Sequence, residues 1–136
     1  MRVEKLITIT AGTPINVMTG LNAAQLTTAG YAAATGRVPA GNFNLPKTFI
    51  NRIFIQMQVG AAAGVGYVYE GISNGRTPVS GTDASVELAA ATSTVPGAPY
   101  TDTAIPRQTP DIDLSQYWID GAHSGDTVYV SWDEQD

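Results

Sequence analysis

The stretch "FINRIFIQMQV" (Phe49 to Val59) constrains the fold more than any other part of the chain. Phe49, Ile53, Ile55, Met57 and Val59 fall on one side of a period-two alternation, with Asn51 among them. Arg52, Gln56 and Gln58 fall on the other side, joined by Ile50 and Phe54. Strand side chains alternate between faces, so this pattern predicts a sheet with one face on a core. Phe54, on the polar side, predicts contact with an extra layer or a neighbouring molecule.

The strand runs into "GAAAGVGYVYEG" (Gly60 to Gly71). A dinucleotide cradle needs strand, glycine turn and then helix, because the phosphate rests on the helix N-terminus. Here the glycines lead into a second strand-like run, Tyr67 to Ile72, at the wrong spacing for G-x-G-x-x-G and with no G-K-[ST]. The expectation is a hairpin, in which glycine reaches positive φ without steric cost.

Other strands are expected at Val3 to Thr10, where Ile7 and Ile9 alternate with threonines, at Ile15 to Leu21, and at Asp126 to Trp132. Ser85 to Ala91 reads as a short strand or one helical turn, and "LSQYWIDG" as a short segment with an aromatic anchor. "NAAQLTTAGYAAATG" has alanine enough for a short helix, weakened by its threonines and Gly30. "SNGRTPVSGTD" (Ser73 to Asp83) is a loop, and the prolines of Thr92 to Asp111 exclude a core strand. Short strands, turn signals and no strong helix predict an all-β fold: one domain over 1–136, an antiparallel β-sandwich or jelly roll. Residues 22–46 and 92–111 are expected to be extended loops or arms, and 133–136 an acidic, solvated tail.

Charged residues are only 14% of the chain, against about a quarter in a typical soluble domain. A surface so poor in charge suggests cover by other protein copies. The net charge of −5 argues against nucleic acid, which needs clustered Lys and Arg. With no cysteine, disulfides, thiolate zinc sites and thiol catalysis are excluded. "MRVEKLITIT" lacks a signal-peptide core and no segment has the length of a membrane span, so the expectation is synthesis in a host cytoplasm and no membrane partner.

The only histidine, His123, stands in "WIDGAHSGDTV" beside Asp120, Ser124 and Asp126. Triad members normally converge from separate elements onto a strained elbow, and this composition is that of a tight turn, so no catalytic residue is assigned. Asp111, Asp113, Asp120 and Asp126 supply carboxylates in principle for calcium but follow no EF-hand pattern; no metal or cofactor is expected. The aromatic residues offer a candidate interaction surface: Phe54, Tyr31, Phe43, Tyr67, Tyr69, Tyr100 and Trp118. Tyr67 and Tyr69 share a strand face and Tyr117 adjoins Trp118, which is also the composition of a sugar-binding platform.

The stretches "ITITAGTPINVMTGL" (Ile7 to Leu21), "GVGYVYEGISNGRTP" (Gly64 to Pro78) and "YWIDGAHSGDTVYVSWDEQ" (Tyr117 to Gln135) resemble small structural proteins of tailed bacteriophages. These are capsid decoration, or cement, proteins such as that of the short-tailed Bordetella phages. The resemblance implies a jelly-roll protein without catalytic residues on the outer surface of the virion. Its partners would be a major capsid protein of the HK97 fold and further copies of itself, as a homodimer or homotrimer. The alternative expectation is a glycan- or receptor-binding β-sandwich module of a phage fibre or head appendage.

Overall fold

The computed structural model describes residues 1–31, 45–60, 64–70, 86–103 and 112–134. The elements are β1 (Arg2–Thr8), β2 (Ile15–Asn16), α1 (Ala23–Thr28), β3 (Phe49–Met57), β4 (Gly66–Glu70), β5 (Val86–Leu88), β6 (Tyr100–Thr103), β7 (Ile112–Asp113), β8 (Tyr117–Gly121) and β9 (Thr127–Glu134). One sheet has the order β1-β9-β3-β6, with β7 also pairing β3; the other has the order β2-β8-β4-β5. Every pairing is antiparallel. In each of the pairs β1/β2, β3/β4, β5/β6 and β8/β9, the two strands hold the same rank in opposite sheets, which is the wrapping of a jelly roll. Ile7, Ile53, Ile55, Val128, Val130 and Trp132 of the first sheet meet Val68, Leu88, Tyr117 and Ile119 of the second in one buried core.

The expected alternation holds from Ile53 to Met57 and fails on both sides, Val59 being 47% exposed past the end of β3. Ile53, Ile55 and Met57 are fully buried, but so is Ile50, while Phe49 is 42% exposed. The register against β9 shifts between Ile50 and Arg52. One extra residue in a strand turns everything before it onto the opposite face, so the bulge at Asn51 brings Ile50 rather than Phe49 into the core.

The glycine connection after β3 is a crossover between sheets, not the expected hairpin, since β3 and β4 never pair. Its glycines serve close approach, not positive φ: only Gly12, Gly20, Gly30 and Gly125 have φ above zero among the described residues. A Cβ on Gly66 would lie 2.6 Å from Met57 Sδ and 2.9 Å from Leu88 Cδ1. The Gly64 N–H donates to Asp126 Oδ2 at 2.7 Å, which ties the crossover to the start of β9.

The second expected strand stops after Asn16. That side chain is fully buried and accepts from the Thr19 N–H and hydroxyl while its amide donates to the Ser115 carbonyl, closing a turn instead of extending the ladder. The expected arm begins as α1. Asn22 and Gln25 form a reciprocal capping box, and the Gly30 and Tyr31 N–H groups close on the Thr27 and Leu26 carbonyls in a Schellman motif, with Gly30 at φ 95°.

In the proline-rich segment β6 pairs with β3 as the outermost strand of its sheet, the place where prolines nearby cost no ladder hydrogen bond. At the C-terminal end β9 runs through Glu134, so Asp133 and Glu134 belong to the sheet rather than to a free tail. The expected loop Ser73 to Asp83 lies outside the described residues.

Candidate functional site

The two outer sheet faces differ. On the β2-β8-β4-β5 sheet, Tyr67 stands opposite Asp120 and Tyr69 opposite Trp118. These rings form a second cluster with Leu26 of α1, against which Leu21, Tyr31 and Leu45 pack. Tyr67, Tyr69 and Trp118 are only 6–8% exposed, so the structure brings them together beneath α1 and not as an open platform. Six-residue α1 thus roofs the sheet through the fully buried Leu26. A shallow cleft of about 380 Å³ lies on its outer side, lined by Leu21, Asn22, Ala24, Gln25, Thr28 and Ala29.

No described residue roofs the outer face of the other sheet. Its rungs run across the strands as Leu6–Tyr129–Gln56, Glu4–Ser131–Phe54–Thr101 and Arg2–Asp133–Arg52–Thr103. Leu6 is 67% exposed, and Phe54 meets Tyr129 edge-to-face with centroids 5.9 Å apart. The charges neutralise one another locally: Arg52 pairs with Asp133 at 3.4 Å and Arg2 with Glu4 at 3.5 Å, while the Tyr129 hydroxyl donates to Glu4 at 2.8 Å. Exposed pairs like these add little stability, but they leave the face with its charges locally balanced.

The expected aromatic surface is therefore divided. Phe54 lies on the open face; Tyr67, Tyr69, Trp118 and Tyr31 belong to the roofed one; Tyr100 on β6 is partly buried against the main core. Phe43 lies outside the described residues. Leu6 and Tyr129 were not singled out from sequence, although their places at outward positions of β1 and β9 were readable from the alternation.

The acidic residues do not converge. Asp113 caps the 3₁₀ turn Leu114–Gln116 through the Ser115 N–H and also accepts from the Thr48 N–H. Asp126 holds Gly64. Ser124 Oγ accepts from the Ala11 N–H, committing it to the turn at Ala11–Gly12. Asp111 lies outside the described residues, and among those described no three His, Asp or Glu side chains are placed to hold a metal ion. No helix among the described residues is long and apolar enough to cross a membrane.

Asp120 is the strained member of this set. It is 1% exposed; Oδ1 accepts from the Gly12 N–H at 3.2 Å, and Oδ2 is buried without a hydrogen-bond partner. Burial raises its carboxyl above the usual 3.8, opposed by the backbone N–H groups of Gly121 and Gly12. The folded chain then holds this proton more tightly than the unfolded chain. Stability contributed by the neutral carboxyl is present below pH 3.8 and is lost as pH rises through the folded value. We expect Asp120→Asn, which stays neutral, to gain stability over the wild type as pH rises from 3.8 to 7, read as a widening gap between urea midpoints. A constant gap would show that Asp120 does not sense its burial.

Comparison of the chain with protein-family models, curated proteins and solved structures returned no match.

Proposed function

We propose that the protein is a capsid decoration protein, which binds across major capsid subunits of the HK97 fold on the outside of a phage head and stiffens the shell. The observation that carries this reading is the outer face of the β1-β9-β3-β6 sheet, which no described residue roofs and whose charges pair locally, with Leu6 exposed and Phe54 and Tyr129 half-buried along it. Such a face can meet another protein surface, because Leu6, Phe54 and Tyr129 gain by losing water, and the four charges beside them, Arg2, Glu4, Arg52 and Asp133, are already paired with one another. The sequence resemblance to cement proteins supports the same reading, as does the low proportion of charged residues. Repetition over a symmetric shell makes modest affinity per copy sufficient. The glycan-binding alternative loses its proposed platform, since Tyr67 and Trp118 are buried beneath α1.

Purified protein is expected to bind expanded capsids and to raise the temperature at which they release DNA. Phe54→Asp, on the open face, is expected to weaken shell binding by at least about tenfold, the scale of a lost aromatic anchor. Unchanged shell binding by Phe54→Asp would remove this face from the interaction, and a wild-type protein with no affinity for any capsid would end the reading.

A further inference from the structure

The strand β1 is the end of its sheet, paired with β9 on one side only. Three bonds define which of its backbone groups are used. Met1 O accepts from the Glu134 N–H, the Ile9 N–H donates to Asp126 O, and Ile9 O accepts from the Gly125 N–H. The register is unbroken between these points, so the odd-numbered residues of β1 turn their N–H and C=O toward β9. Arg2, Glu4, Leu6 and Thr8 turn theirs outward, and no described residue takes them up. Natural proteins blunt such edges, because an unpaired row of donors and acceptors templates pairing with another chain. This edge carries at its middle Leu6, 67% exposed, the most exposed large apolar side chain among the described residues after Met1.

We propose that β1 is the self-association edge of this protein: two copies pair their β1 strands antiparallel about a two-fold axis, with Leu6 opposite the partner's Leu6. This rests on the reading above in giving that decoration protein its second copy. The charge pattern selects the register. Centring the pair on Glu4 or on Lys5 sets like charges directly opposite one another, which is destabilising. Centring it on Val3 pairs only the strand's first residues, and centring it on Ile7 separates the two leucines. Centring it on Leu6 pairs every outward-turned residue from Glu4 to Thr8 and covers both leucines. Glu4 then faces a threonine, with its charge already met by Arg2 and the Tyr129 hydroxyl. Lys5 faces the partner's Ile7 with its aliphatic stem, because its ammonium is held by the Met18 carbonyl at 2.8 Å and lies 5.6 Å from the Trp132 ring centroid. The axis is perpendicular to the sheet, so the two open outer faces become one continuous face, with Phe54, Tyr129 and Leu6 of each copy across it.

Isolated protein at about 100 μM, a concentration at which contacts of micromolar Kd are formed, is expected to sediment at twice the monomer mass. In the paired strands the two Leu6 Cα atoms sit about 5.5 Å apart, within disulfide range. The chain has no cysteine of its own, so Leu6→Cys should oxidise to a covalent dimer, while Val95→Cys, at a position 58% exposed elsewhere, should not. Leu6→Lys should weaken dimerisation at least tenfold by placing like charges opposite. Leu6→Pro should do the same through loss of an N–H that points away from β9, leaving the chain's own sheet bonded. A monomer or trimer at that concentration would overturn the proposal, as would a dimer in which Leu6→Cys crosslinks no better than Val95→Cys. All of this is read without capsids. A β1 dimer that binds no shell would refute the decoration reading and leave the edge standing; a shell-binding monomer would do the reverse.

Discussion

Gly97→Ala is expected to lower the stability of the fold by about 3 kcal/mol, the upper range for forcing atoms into a packed site. The Gly97 N–H donates to Met57 O at 3.0 Å and its carbonyl accepts from Gln56 Nε2 at 2.9 Å, so the segment before β6 is held against the end of β3 by two bonds. An added Cβ would fall directly on the Ala89 carbonyl oxygen and within 3.2 Å of the Ala90 carbonyl carbon. These are backbone atoms of the chain leaving β5, and they cannot rotate away as a side chain tip does. Either the Gly97 bonds break or the stretch after β5 moves off the core, where Ala91 is buried. Gly12→Ala serves as the comparison. Its φ of 81° strains any L residue, but nothing lies within 4 Å of the new methyl group, so about 1 kcal/mol is expected. Urea unfolding at constant slope checks both. If Gly97→Ala costs no more than Gly12→Ala, the packing of this segment is not as described.

Trp118→Ala is expected to cost about 3–5 kcal/mol, the range for deleting a large buried aromatic side chain. Trp118 stands opposite Tyr69 on β8 and, with Tyr67, forms the floor on which Leu26 sits. Removing the indole leaves a cavity under α1, a helix of six residues, too short to persist in water without packing. The amides of α1 should therefore lose hydrogen-exchange protection in this variant before those of β3 and β9 do. Phe54→Ala, on the outer face of the other sheet, is expected to change stability less, because that ring is only half-buried and its loss leaves no enclosed cavity. Equal costs at the two positions would mean that α1 does not roof the second sheet. The contrast also separates structure from recognition: a loss of binding in Trp118→Ala reports unfolding of a buried layer, whereas a loss in Phe54→Asp reports the surface.

Much of the fold was legible locally. The alternations in Val3 to Thr10, Phe49 to Val59 and Asp126 to Trp132 mark β1, β3 and β9, and the inward set of β9, Val128, Val130 and Trp132, is buried, joined there by Ser131 of the outward side. The start of α1 was also written in the chain, as Asn22 followed three residues later by Gln25 with a glycine past the end, although the threonines made the segment read weakly as a helix. The face of Ile50 was not legible, because a bulge is set by how β3 and β9 fit along their length.

The candidate surface was legible only as a list of aromatic residues. Which of them are covered depends on α1 packing Leu26 against residues far along the chain, Tyr67 and Trp118. The same limit explains the glycine connection at Gly60–Gly66: its composition suits a hairpin and a crossover equally, and the choice lies with the distant strands β8 and β9 that claim β4 and β3.

The amino-acid sequence by itself determined that this chain makes short, alternating strands, and which side of most of them is apolar, because side-chain periodicity acts between near neighbours. Only the tertiary structure decided which strands share a sheet, which outer face α1 covers and which strands stand at the sheet edges. Those outcomes are fixed by hydrogen bonds and contacts between residues up to the length of the chain apart, such as Leu6 with Tyr129, and no local pattern encodes the partner.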